Sequence, residues 1–182
     1  MITRCPWGES TPDYVEYHDT EWGVPLHGTA ELYERMCLES FQSGLSWITI
    51  LRKRENFRAA FAGFEPKVVA GYGDDDIARL MADAGIVRNL AKINAAIHNA
   101  RVIATLDTDL DSLLWSFAPD PAGRVRPATI ADVPAVTPES KAMAKELKRR
   151  GFTFLGPTTC YALMQATGMV DDHIVSCFRA GQ

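Results

Sequence analysis

Along most of this chain, apolar side chains recur every three or four positions. That is the period of a helix packed on one face, and the two-residue alternation of a half-buried strand is almost absent. Thr11-Pro12-Asp13 reads as an N-cap followed by proline in the first helical position, predicting a short helix through Tyr14, Tyr17 and His18. Thr29 can cap the next, with Leu32, Tyr33, Met36 and Cys37 on one face and Gly44 ending it. Ser46 can cap a third that holds Trp47, Ile50, Leu51, Phe57 and Phe61 inside and stops at Gly63, with Arg52, Lys53, Arg54 and Arg58 on its wetter side. Asp74-Asp75-Asp76 puts negative charge where a helix start favours it, and the pattern runs on through Ile77, Leu80 and Met81 until Asp83-Ala84-Gly85-Ile86 breaks it. Further helices are predicted from 89 to about 106, over 110–117, over 138–150 ahead of Gly151, and over 158–167 and 171–178. Pro119, Pro121, Gly123, Pro127 and Pro134 make 118–136 a surface loop. The segment beyond that loop is too short for a core of its own, so one all-α domain spanning 1–182 is expected.

Composition narrows the function classes. With 47% hydrophobic residues in 182, the chain can bury a real core, and a disordered or collagen-like chain is excluded. A formal net charge of −4 excludes a globally cationic nucleic-acid binder but not a local basic face. The longest uncharged run, 151–170, is broken by Gly156, Pro157, Gln165 and Gly168, so no membrane span is expected and a cytoplasmic location is. In that compartment the four cysteines read as metal ligands or buried thiols rather than disulfides.

Two groupings carry candidate chemistry. Cys5 and His18 near the start, and His173 and Cys177 four apart on one face of the last predicted helix, supply the two thiolates and two imidazoles of a tetrahedral zinc set. The plainer reading is buried cysteines and hydrogen-bonded histidines. Cys37 and Cys160 fall within apolar helical patterns and read as core, and His27 and His98 have no partner at useful spacing. Trp7, Tyr14, Tyr17, Trp22 and Trp47 crowd the first quarter, with Glu39 among them. Rings around one carboxylate suit a flat, electron-poor ligand; the same rings could equally fill a core, with the glutamate in water. The turn 83–88 looks like a helix-hairpin-helix turn in which Gly85 eases the bend and Arg88 and Lys92 lie near a bound phosphate, although a glycine there can also simply end a helix.

Arg4-Cys5-Pro6-Trp7, Tyr14-Val15-Glu16-Tyr17-His18-Asp19-Thr20-Glu21-Trp22-Gly23-Val24-Pro25, Leu38-Glu39-Ser40-Phe41-Gln42-Ser43-Gly44-Leu45-Ser46-Trp47 with Arg54-Glu55-Asn56, and Phe154-Leu155-Gly156-Pro157-Thr158 with Met164-Gln165-Ala166 and Asp172-His173 follow one another in order. Together, and nearly end to end, they resemble the 3-methyladenine DNA glycosylase I (Tag) family. The resemblance implies an all-α helix-hairpin-helix glycosylase fold with a structural zinc held by Cys5, His18, His173 and Cys177, joining the terminal segments. It carries base recognition onto Glu39, with Tyr17, Trp22 and Trp47 forming the pocket and Trp7 and Tyr14 as further walls. Gly44 and Leu45 look like the loop that enters the gap left by the extracted nucleotide, and the hairpin at Gly85, with Arg88, like the grip on the backbone. Leu90-Ala91 departs from relatives that carry another arginine after the hairpin, which weakens one phosphate contact.

The implied reaction is hydrolysis of the N-glycosidic bond of 3-methyladenine after the nucleotide is flipped out of duplex DNA. The N3-methylated base is cationic and already a good leaving group, so Glu39 is expected to read and hold the base rather than attack. No lysine is an obvious Schiff-base candidate, so a monofunctional enzyme is expected. Asp107, Asp109 and Asp111 read as a solvated acidic loop. A zinc with four protein ligands would leave no open position for water. The expected partner is double-stranded DNA containing alkylated bases, met by a monomer. The alternative is a zinc-stabilised DNA-binding module without catalysis, which would need neither the aromatic pocket nor Glu39.

Overall fold

A computed structural model describes residues 2–182, and the regular elements among them are all helical. They are α1 (Pro12–Thr20), α2 (Thr29–Gln42), α3 (Trp47–Ala60), α4 (Pro66–Val69), α5 (Asp74–Ala82), α6 (Leu90–Ala104), α7 (Leu110–Trp115), α8 (Pro138–Arg149) and α9 (Pro157–Ala166), with short 3₁₀ turns between. Local chemistry sets most of the starts. The Thr11 hydroxyl accepts from the Tyr14 N–H at 3.4 Å, Asn89 from the Lys92 N–H at 3.1 Å, and Thr137 from the Ser140 N–H at 3.2 Å. Asp109, exposed as the sequence suggests, also caps α7 by accepting from the Ser112 N–H at 2.8 Å. The cap of α2 is Gly28 rather than Thr29, because its φ of 104° turns the chain and its N–H is held by Asp111 at 2.6 Å.

The core is built around α2. Its buried Leu32, Tyr33, Met36, Leu38 and Phe41 meet side chains of α3, α6, α7 and α9, and α8 closes over α9. Phe41, Phe57, Phe61 and Phe64 are fully buried and touch in series, with Phe61 and Phe64 stacked at 5.5 Å. Each such ring contributes roughly 1.5–3 kcal/mol by leaving water. That burial offsets a local strain, because Phe64 holds a φ of 58°, unusual for a bulky residue. Here the sequence period predicts nothing, yet the chain forms a 3₁₀ turn at Ala62–Phe64 and then α4.

Two expectations are corrected at the C-terminal end. Residues 171–178 form turns, not a helix, so His173 and Cys177 do not share a helical face. The Asp171 carboxylate accepts from the backbone N–H groups of His173 (3.1 Å) and Gly181 (3.1 Å), and this side-chain bonding replaces the helical ladder. The turned tail is tied back by Phe178 N–H to Thr3 C=O and Val175 N–H to Pro127 C=O, both at 2.9 Å. Nor is the proline-rich stretch only a surface loop. Its Arg124 pairs with buried Asp172 at 2.8 Å, and its Arg126 with Asp171 at 2.7 Å. Among the described residues no helix is long and apolar enough to cross a membrane.

Candidate active site

The N-terminal 3₁₀ turn (Pro6–Glu9), α1 and Trp22 just beyond it, the C-terminal half of α2 and the first residue of α3 converge on a cavity of about 340 Å³. Trp7, Tyr14, Tyr17, Trp22, Glu39 and Trp47 all line it. The rings leave the space open: Trp7 stands edge to face with Trp22 (5.0 Å, 78°) and with Tyr14 (5.7 Å, 76°), and Tyr17 and Trp47 are tilted at 43° with centroids 5.5 Å apart. Such a wall offers π faces and edges to a flat ligand. Sequence reasoning missed Gln42, Ile130, Val133, Ala162 and Gln165, which complete the lining. Ala162 and Gln165 lie within or beside the C-terminal segments that carry the family resemblance, but nothing local in the sequence points them inward. Ile130 and Val133 arrive from the proline-rich stretch, which long-range ion pairs and hydrogen bonds bring near.

Glu39 is 6% exposed, and none of the hydrogen bonds among the described residues reaches its carboxylate. Burial pushes its carboxyl up to about 8, against an opposing pull from Arg35. Arg35 forms no hydrogen bond with it: its Nη2 donates to Glu21 at 2.6 Å, where Arg54 also donates twice, and its buried Nη1 has no partner. Burial pushes Glu21 up as well, but Arg54 and Arg35 outweigh it and hold the group at about 2. Glu21 is therefore ionised and structural, whereas Glu39 is left with unmet capacity facing the cavity. The buried indole Nε1 of Trp47 is likewise without a partner. The Trp47 nitrogen is deprived of both water and a protein partner, which is costly unless something else binds it.

Behind the cavity lie the cysteines and histidines. The ligating atoms of Cys5, His18 and Cys177 fall within 4.8 Å of one another, all three residues buried. The ring of His173 lies 4.9 Å from that of His18, outside that tight trio. Both imidazoles are oriented the same way. His18 Nδ1 faces Asp19 at 2.8 Å and His173 Nδ1 faces Asp171 at 2.9 Å, which leaves each Nε2 for another partner. For His173 that Nε2 is buried and has none. Carboxylates behind both histidines, a His18 Nε2 that lies 3.4 Å from the Cys177 sulfur and an unpartnered His173 Nε2 suit a tetrahedral metal ion, so the residues fit one. The cluster abuts the cavity wall, with Trp7 5.2 Å from the His18 ring and Trp22 4.8 Å from that of His173. Cys37 and Cys160 are buried in the main core, as the sequence predicted.

Leu45 is 41% exposed, and Gly44 turns with a φ of 79° just after α2. Lys92 is not near a phosphate site, as the sequence suggested. It is buried, and its ammonium donates to the Phe41 carbonyl at 2.9 Å and to the Ser43 carbonyl, fastening the end of α2. In the α5–α6 turn Arg88 is exposed. Gly85 is not in the left-handed region; an added Cβ would lie 3.0 Å from the side chains of Asn56 and Asp83, which would have to shift slightly to admit it. A second concave face, between α8 and the 151–157 turn, carries Lys141, Lys145, Lys148 and the exposed Phe154, and those lysines form no ion pair among the described residues. Their spacing on one helical face was the available signal for it.

A family model described as methyladenine glycosylase matches residues 7–180. The DNA-3-methyladenine glycosylase 1 of Escherichia coli (strain K12) is 45% identical over 179 residues, covering 97% of this chain and 96% of the relative. A crystal structure of 3-methyladenine DNA glycosylase I superposes with a TM-score of 0.91 at 44% identity, over 97% of this chain and 99% of the other. A single-substitution variant of such an enzyme, solved in complex with 3-methyladenine, gives a TM-score of 0.90 at 34% identity, covering 97% and 96%.

Proposed function

The chain belongs to the methyladenine glycosylase family, whose members are hydrolases acting on N-glycosyl bonds, and from that premise we propose how it recognises and releases its base. The substrate is 3-methyladenine in alkylated duplex DNA, and the nucleotide must leave the stack to be reached. The supporting observation is the ring-lined cavity of about 340 Å³ with an unpartnered carboxyl on its wall. Methylation at N3 makes the base in the nucleotide cationic. Electron-rich faces of Trp7, Tyr14, Tyr17, Trp22 and Trp47 attract such a ring, and its charge favours the ionised form of Glu39. Glu39 then accepts from the adenine edge and holds the base, while water completes the hydrolysis of a bond that is already weak. No Schiff base is involved, so the DNA strand stays intact.

Gly44 and Leu45 project beyond the end of α2 and are assigned to the gap left by the flipped nucleotide. Gly85 and Arg88, in the helix-hairpin-helix reading of the α5–α6 turn, are assigned to the DNA backbone, and the lysine-bearing face of α8 offers a further backbone contact. Zinc, held by Cys5, His18 and Cys177 with His173 as fourth ligand, would supply a cross-link between the chain ends, with no reactive position. The protein acts as one helical unit, as a monomer.

Purified protein incubated with methylated DNA should release free 3-methyladenine and leave the strand uncleaved until the abasic site is opened by alkali. DNA binding without base release would instead establish a binding module and overturn the proposal.

A further inference from the structure

The cavity wall contains an amide whose orientation is dictated from behind. Gln165, near the C-terminal end of α9, lines the cavity, and its Nε2 donates to Asp172 Oδ2 at 3.0 Å. Asp172 is 1% exposed; the same Oδ2 accepts from the Tyr161 hydroxyl, and its Oδ1 accepts from Arg124 at 2.8 Å. A carboxylate in an ion pair can only accept, so the NH₂ end of Gln165 must face it. The amide oxygen is thereby turned away from Asp172. It takes part in no hydrogen bond among the described residues and is not among the fully buried unpartnered atoms, so solvent reaches it. One N–H of Gln165 is thus committed to Asp172, and its amide oxygen remains as an acceptor.

We propose that Gln165 is a specificity-determining residue that selects a 6-amino purine over a 6-oxo purine. The inference rests on the cavity being the base site. An exocyclic NH₂ satisfies the amide oxygen, whereas the O6 of a methylated guanine would set two lone pairs against each other with no water between them. Glu39 cannot make this distinction as firmly by itself. With its carboxyl pushed up to about 8 it is protonated in part near neutrality and could donate to O6. A locked amide oxygen cannot.

The test uses the intact protein and the quenching of its tryptophan fluorescence by free 3-methyladenine and free 3-methylguanine, alongside base release from methylated DNA. Gln165→Leu should weaken 3-methyladenine binding by at least roughly tenfold while 3-methylguanine binding is unchanged or tighter. Equal weakening of both bases, at an unchanged melting temperature, would overturn the inference, because a merely supporting side chain would not choose between them. Should the Leu variant misfold, the wild-type side-chain amide resonances of Gln165 decide. They should shift on adding 3-methyladenine, and a saturated complex without a shift refutes the role. A wild-type protein that binds neither base and releases none overturns the base-site reading, and this inference with it.

Discussion

Glu39 sits where its own charge is opposed. The group titrates near 4.5 in an open chain and is raised to about 8 here, first by burial and only partly relieved by Arg35. The folded protein therefore binds a proton that the unfolded chain releases between those two values. Stability is full below the lower one and declines as pH rises through the higher one. Glu39→Gln removes this penalty. At pH 8 the variant should unfold later than wild type, by on the order of a few kcal/mol, and at pH 4 the two should melt together; coincident curves at both would mean that the carboxyl is not desolvated. The same variant should bind 3-methyladenine more weakly, separating loss of function from loss of fold. Trp47→Ala should likewise reduce base binding by on the order of tenfold, since stacking contacts are worth about 1–3 kcal/mol per base, with fluorescence titration as the readout.

At the scale of elements, the end of α2 is the critical junction. One helix carries Glu39 on the cavity wall and leads directly into Gly44 and Leu45, so its terminal carbonyls must be held. Lys92 from α6 holds two of them, those of Phe41 and Ser43. Burial pushes this ammonium down from its ordinary value, and no acid compensates; the partial negative charge of a helix C-terminus does. Lys92→Met should cost roughly 1–3 kcal/mol by leaving those carbonyls without a donor. It should also weaken binding to DNA containing an abasic site more than binding of the free base. Equal effects on both would argue that the loop after α2 has no separate part in gripping DNA.

Across the whole molecule, the two chain ends meet behind the base cavity. Arg4 pairs with Asp19 at 2.8 Å, Phe178 N–H reaches Thr3, and Cys5, His18 and Cys177 gather beside His173. A metal cross-link here would close nearly the whole chain into a loop, restricting the unfolded state by on the order of a few kcal/mol. A strong chelator, or Cys177→Ala, should lower both metal content and melting temperature. Because Trp7 and Trp22 rest against the histidines, base affinity should fall as well. Full metal loss with unchanged melting would show that the terminal contacts alone fasten the ends.

The all-helical class, most helix starts and the buried thiols Cys37 and Cys160 were written in local pattern, because caps, prolines and a 3.6-residue period act within a few positions of the chain. The family resemblance likewise rested on short contiguous segments, and it singled out six residues that share one cavity. Tertiary structure decided the rest. It turned 171–178 out of helix through Asp171, buried Lys92 under α2, and drew Ile130 and Val133 to the cavity by ion pairs 45 or more positions apart along the chain. Above all it left Glu39 without a partner and locked Gln165 against Asp172. The charge a carboxyl carries and the way an amide faces depend on neighbours from distant segments, and those neighbours assemble only when the chain packs.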